Sequence, residues 1–168
     1  MSKFTIELLH SKHKKEDFTC GIELLDTYLH KQAKQDVKRK LAACYILSES
    51  KDDVLGYYTL SNASIPRKWI PEEFARRMPP SYANLPVTLL GRLAISTDYQ
   101  DQGLGKYLLV DAAKRSLQVS SQVGSLALVV DPINLDAVQF YKKYGFLFIQ
   151  DTGKMFLPMK TIQQLFSS

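Results

Sequence analysis

Gln100-Asp101-Gln102-Gly103-Leu104-Gly105 stands between the alternating segment 89–95 and an amphipathic stretch that begins at Lys106 and reaches Leu117. A strand that ends in a tight glycine turn and opens a helix aims several main-chain N–H groups, and the positive end of the helix dipole, at one point. Such a point favours phosphate. Gly103 permits positive φ, and with no Cβ at Gly103 or Gly105 a pyrophosphate can approach the main chain. The run lacks the Gly-Lys-Ser/Thr ending of a Walker loop and differs from the dinucleotide fingerprint G-x-G-x-x-G. Taken alone, such a match is more often plain loop chemistry.

Thirty residues on, a second pattern sets Asn134, Ala137, Tyr141, Gly145 and Phe146 in the context VVDPINLDAVQFYKKYGF, residues 129–146. Asn134 is a good N-cap, Ala137, Phe140, Tyr141 and Tyr144 fall at helical spacing, and Gly145 suits the position just past a helix end. The order is strand, short helix, strand.

The two patterns together resemble the GCN5-related N-acetyltransferase (GNAT) superfamily, in which Q/R-x-x-G-x-G/A holds the pyrophosphate of acetyl-coenzyme A and N-x-x-A-x-x-x-Y-x-x-x-G-F carries the Asn and Tyr beside the thioester. Both match without a gap. Residues 26–35 (DTYLHKQAKQ), 54–61 (VLGYYTLS), 85–94 (LPVTLLGRLA) and 156–162 (FLPMKTI) extend the resemblance to the acetyltransferase toxins of bacterial type II toxin–antitoxin pairs. The resemblance implies acetyl-coenzyme A as cosubstrate, held by Gln100, Asp101, Gln102, Gly103, Leu104, Gly105 and Lys106, with Leu93, Ala94 and Ile95 hydrogen-bonding the pantetheine arm through their main chain. It implies catalysis by Tyr141 with Asn134, both also touching the coenzyme. Asn134 has two open readings, orienting the pantetheine or simply capping its helix. Glycine often occupies the position of Asp101 in these toxins, and a carboxylate beside a pyrophosphate weakens binding unless it points to solvent.

At 168 residues the expectation is one catalytic domain, 1–168, that buries roughly 70% of the surface of its unfolded chain. Strands are expected over 3–9, 43–49, 54–63, 87–95, 124–130, 146–150 and 155–159. Helices are expected over 23–37, 72–78, 104–118, 134–144 and 161–166. This order is α+β, with hairpins preceding a β-α-β-α-β unit: a single mixed, mostly antiparallel central sheet flanked by helices. The family adds a splay between the central strands. The start of the chain lacks the apolar core of a signal peptide and no run is long enough to span a bilayer, so a cytoplasmic protein is expected. Cys20 and Cys44 have neither C-x-x-C spacing nor a nearby His, which argues against a metal site or a disulfide.

Attack of an amine on a thioester needs a neutral amine, a stabilised oxyanion and a proton for the departing thiolate. A main-chain N–H of the strand through Leu93 and Ile95 supplies the second, and Tyr141 the third. A base is harder to find. His10, His13 and His30 lie in the N-terminal fifth, where tail and helix-surface roles are expected, and Glu49 and Asp98 have no motif behind them. A lysine acceptor of pKa about 10.4 is less than about 0.1% neutral at pH 7, whereas an α-amine of pKa about 7.7 is roughly a sixth neutral unaided. The absent base fits an α-amine.

That agrees with what the resemblance implies: acetylation of the α-amine of aminoacyl-tRNA, which removes the nucleophile of peptide-bond formation and stops translation. Lys and Arg number 22 against 17 Asp and Glu, a net charge of +5. Lys31, Lys34, Lys38, Arg39 and Lys40 crowd a helix whose other face carries Ile22, Leu25, Leu29, Ala33 and Val37; Arg67, Lys68, Arg76 and Arg77 form a second basic set. Clusters of this kind are mostly solvated surface. If they serve the acceptor, Lys34, Lys38, Arg39 and Arg77 are the candidate tRNA contacts. The resemblance further implies a cognate DNA-binding antitoxin of the ribbon-helix-helix type and a homodimer. Two other classes stay open, an acetyltransferase for a small amine or a protein N-terminus, and a coenzyme-retaining repressor subunit.

Overall fold

Seven strands join in one sheet in the order β1-β2-β3-β4-β5-β7-β6. They are β1 (Thr5–Leu8), β2 (Ala43–Ser48), β3 (Gly56–Pro66), β4 (Asn84–Ile95), β5 (Ala127–Val130), β6 (Leu147–Phe148) and β7 (Met155–Pro158). β1 pairs antiparallel with β2, β2 with β3, β5 with β7 and β6 with β7, whereas β4 and β5 run parallel. The sheet is mixed and mostly antiparallel, as the pattern predicts. The computed structural model describes residues 3–167; Met1, Ser2 and Ser168 lie outside the described residues. The chain divides into two compact units, Met1–Ser61 with Gly91–Ala112, and Asn62–Leu90 with Ala113–Ser168.

In the first unit, Phe18, Leu25, Tyr28, Leu29, Ala33, Cys44, Ile46, Tyr57 and Ala94 form a buried cluster. The helix expected over 23–37 is not one α-helix. It comprises α1 (Glu23–Thr27), a wide π-turn over Tyr28–Gln32, and α2 (Ala33–Lys38). Its apolar positions 25, 29, 33 and 37 recur every four residues, so at about 100° per residue the stripe drifts by about 120° across the three steps. One extra residue in a turn restores about 100° of that drift and keeps Leu25, Leu29 and Ala33 on the core.

The second unit buries Ile65, Ile70, Ala75, Leu85, Val87, Ala127, Val129, Ile149 and Phe156, with Phe74 edge-on to Phe156 at 5.7 Å. Its helices are α3 (Glu72–Ala75), α5 (Leu135–Lys143) and α6 (Met159–Phe166). Between α3 and α5 in the chain comes α4 (Leu104–Ser120), which begins in the first unit and ends in the second. The helix expected over 72–78 stops at Ala75, and the Arg67 guanidinium donates to the carbonyls of Ala75, Met78 and Pro79. Arg67 therefore satisfies a helix end instead of joining a free basic set. Strand 124–130 starts only at Ala127 and strand 146–150 shrinks to Leu147–Phe148. Among the described residues no helix is long and apolar enough to cross a membrane.

β4 changes edge along its length. The Pro86 carbonyl accepts from the Leu126 N–H, toward β5, while the Ser96 N–H donates to the Leu55 carbonyl, just before β3. A Cβ built on Gly56 would lie 2.7 Å from the Ala94 oxygen, so Ala94 also addresses the β3 side. In a regular strand residues an even number apart use the same edge. An inserted residue, a β-bulge, resolves the mismatch, and it turns the main chain of Leu93 and Ile95 away from β3.

Candidate active site

The register of β4 with β5 runs over Thr88–Leu90, β5 ends at Val130, and β4 continues to Ile95. Beyond the bulge, Leu93 and Ile95 present main-chain polar groups along an edge that β5 has stopped following. That is the edge an extended ligand can pair with. Ala94 and Ile95 are buried and Leu93 is half-buried, so their side chains serve packing.

After a 3-10 turn at Thr97–Tyr99 comes the glycine loop. The Gln100 side chain donates to the carbonyls of Cys20 and Ile95, both at 2.9 Å, and ties the loop to the end of β4. Gln100 thus acts as a strap within the protein. Asp101 (φ 63°) and Gly103 (φ 79°) are both left-handed, an alternation that gathers consecutive N–H groups into an anion-binding nest. Gly103 accepts from the Tyr107 N–H at 3.1 Å, leaving the N–H groups of Leu104, Gly105 and Lys106 as the open donors of the first turn. The first turn of this 17-residue helix carries no acidic side chain. A Cβ on Gly103 would meet nothing within 4 Å. The protein leaves space in front of the nest, which fits a diphosphate lying against the main chain. The Asp101 side chain is exposed.

In the second unit both ends of α5 are fixed by the residues that make its motif recognisable. Asn134 Oδ1 accepts from the Ala137 N–H at 2.8 Å, an N-cap. At the far end Phe146 N–H donates to the Tyr141 carbonyl (3.2 Å) and Gly145 N–H to the Lys142 carbonyl (3.1 Å), with Gly145 at φ 94°. Those are the two bonds of a Schellman motif, and its usual apolar contact is Tyr141 on Phe146, centroids 5.1 Å apart. Phe140 packs edge-on against Tyr141 at 5.3 Å. Tyr141 is 7% exposed. Burial pushes its phenol well above the usual tyrosine range, so the hydroxyl stays protonated. Its Oη makes no hydrogen bond among the described residues, yet it is not sealed from solvent. A protonated donor with an open valence is what a departing thiolate requires.

One histidine departs from expectation. His13 is buried, 4% exposed, and Glu7 Oε1 accepts from Nε2 of both His10 and His13 at 3.0 Å. The rings stack at 3.8 Å. These three ligand-type side chains lie within 4.8 Å of one another. However, both Nδ1 atoms accept main-chain N–H groups, from His10 and Lys12. A metal-binding imidazole normally donates through its second nitrogen, so this arrangement ties down the β1 turn. Glu49 pairs with Lys3 at 3.4 Å and Asp98 is exposed, which leaves neither poised as a base. Cys20 and Cys44 are free and buried, their thiols raised by burial to about 11 and about 12, beyond useful nucleophilicity.

Lys34, Lys38 and Arg39 are exposed in the first unit and Arg77 in the second. One group escaped sequence reading. Arg92 of β4 lays its guanidinium over the Tyr28 ring, Cζ 3.5 Å from the centroid, and Tyr28 donates to Asp36 Oδ2 at 2.8 Å. The signal was the arginine inside LPVTLLGRLA.

A family model described as Acetyltransferase (GNAT) family matches residues 9–146. A tRNA-acetylating toxin of Mycobacterium tuberculosis is 33% identical over 129 residues, 77% of this chain and 75% of that protein. A probable toxin TacT of Sinorhizobium fredii is 27% identical over 164 residues, 92% of this chain and 90% of that protein. Among solved structures, a tyrosine-to-phenylalanine mutant of KacT superposes with TM-score 0.92 at 31% identity, covering 98% of this chain and 100% of that one. AtaT complexed with acetyl-methionyl-tRNA superposes with TM-score 0.90 at 33% identity, covering 97% and 99%.

Proposed function

The chain belongs to the acetyltransferase (GNAT) family, whose members use acetyl-coenzyme A, and from that premise we propose that it acetylates the α-amine of an aminoacyl-tRNA as the toxin of a toxin–antitoxin pair. The observation that carries the reading is the likeness to a tRNA-acetylating toxin over about three quarters of each chain and to AtaT with its acetylated tRNA over nearly the whole length, joined to an intact, doubly capped Tyr141 helix.

The residues divide the work by chemistry. The N–H groups of residues 102–106 hold the diphosphate, and Leu93 and Ile95 pair with the pantetheine arm through main chain. As the α-amine attacks, a C–N bond forms and the C–S bond breaks; a β4 N–H stabilises the oxyanion, by about 3 kcal/mol when such a donor is pre-aimed. Tyr141 gives its proton, or a strong hydrogen bond, to the sulfur, and the proton shed by the amine returns to the phenol or to solvent. Asn134 acts by fixing the start of α5. With neither Glu49 nor Asp98 poised as a base, the site suits an amine already partly neutral at pH 7, which an α-amine beside an ester is.

Lys34, Lys38, Arg39 and Arg77 hold the tRNA by phosphate contacts. We take residues 1–168 as one catalytic domain acting in the cytoplasm, homodimeric, and neutralised by a DNA-binding antitoxin of ribbon-helix-helix type; solved structures of relatives include AtaT bound to the C-terminus of AtaR and a KacTA–DNA complex. The test incubates purified protein with charged tRNA and labelled acetyl-coenzyme A, then examines tRNA from cells arrested by induced expression. N-acetyl aminoacyl adducts are expected. Label entering only free amines or protein N-termini overturns the tRNA reading.

A further inference from the structure

Arg92 is half-buried, and its guanidinium is spread flat on Tyr28 at 3.5 Å. Among the described residues it has no carboxylate or carbonyl partner. Stacking fixes the plane and leaves the donors at the edge of the guanidinium facing solvent, so a ligand that displaces that water meets a fork already oriented. The ring beneath is itself immobilised. Tyr28 donates to Asp36 at 2.8 Å and stacks on Tyr57 at 6.3 Å, and it occupies the π-turn that the drifting apolar stripe requires.

Such a rigid planar fork matches a phosphate or carboxylate oxygen pair. Its place in the chain selects between them. Arg92 immediately precedes Leu93, so its Cα lies about 3.8 Å from the first residue of the segment that holds the thioester arm. On an aminoacyl-tRNA, eight bonds of roughly 1.4 Å separate the α-amine from the phosphorus on the 5′ side of the terminal adenosine, about 8 Å when the ribose is folded. A guanidinium one residue from the thioester strand is within reach of that phosphate while the amine meets the carbonyl.

We infer that Arg92, stacked on Tyr28, binds the phosphodiester on the 5′ side of the terminal nucleotide of the acceptor. This deepens the aminoacyl-tRNA reading and rests on it. Arg92 reads no base; it sets how far the aminoacyl ester enters, so small amines lacking that phosphate are poor acceptors.

The experiment uses two inhibitors of aminoacyl-tRNA acetylation, a non-reactive N-blocked aminoacyl-adenosine and the same compound with a 5′-phosphate. Against wild type the phosphorylated compound should bind about 10- to 100-fold better. Against Arg92→Gln, which keeps a flat side chain on Tyr28, the two should bind within about threefold of each other, with KM for acetyl-coenzyme A unchanged. Arg92→Lys should recover only part of the preference, because the charge remains and the fork is lost. A wild-type ratio near one overturns the inference without any variant, as does a preference that survives in Arg92→Gln. Wild type that acetylates no aminoacyl-tRNA at all overturns the proposed function itself, a separate result.

Discussion

Tyr141 concentrates the chemistry in one hydroxyl, and its burial predicts how the enzyme responds to mutation and to pH. Tyr141→Phe removes the proton donor while keeping the ring that packs on Phe140 and Phe146. Turnover should fall by roughly 10² to 10³ with the affinity for acetyl-coenzyme A and the melting temperature almost unchanged; equal loss of folding would make the residue a core aromatic only. Because burial raises the phenol above its ordinary value, Tyr141 does not ionise between pH 6 and 9. The acceptor amine titrates there instead. A plot of log kcat/KM should therefore rise with unit slope to about pH 7.7 and then level, with no descending limb below pH 9. Asp101 is the second telling residue, a non-glycine at φ 63° beside the nest. Asp101→Gly relieves the left-handed strain, and because the carboxylate is exposed, calorimetry should show acetyl-coenzyme A affinity changed by less than about twofold while Tm rises.

At the scale of the element, α5 explains why its motif has the spacing it has. Nine helical residues are too few to be stable alone, so the N-cap and the Schellman end are what hold Tyr141 in one orientation. Asn134→Ala should cost about 1 kcal/mol and lower Tm by about 2–4 °C, whereas Asn134→Ser retains a capping oxygen and should recover most of that. The pair of variants also separates the two readings of Asn134. A serine variant with native stability and native KM for acetyl-coenzyme A makes it a cap; native stability with a raised KM makes it a coenzyme contact. The glycine loop and α4 form the other decisive element, and Gln100 shows how it is held, by a side chain that reaches back to β4 and Cys20.

For the whole molecule the relevant quantity is charge in its arrangement. A net +5 is modest, yet exposed Lys34, Lys38 and Arg39 follow one another along α2 and the residue after it. Phosphate contacts release counterions, so kcat/KM for aminoacyl-tRNA should fall steeply as salt rises. Reversing Lys34, Lys38, Arg39 or Arg77 should flatten that log–log slope by about one unit each while leaving acetyl-coenzyme A affinity intact. An undiminished slope in any one of these variants removes that residue from the interface.

The local rules carried a long way, because glycine conformations, caps and short periodicities are written residue by residue. Positive φ at Gly103 and Gly145, the cap at Asn134 and the buried Cys44 all follow from nearest neighbours in the chain. What only folding decided are features in which distant residues compete for the same space. The β4 bulge arises because Ala94 must face the β3 side while Pro86 faces β5. Arg67 is committed to the end of α3 and the loop after it, and His13 goes inside because Glu7 and two main-chain N–H groups around it satisfy both rings. The cation over Tyr28 joins residues from opposite halves of the chain, and no pattern of spacing announces a contact made through the sheet.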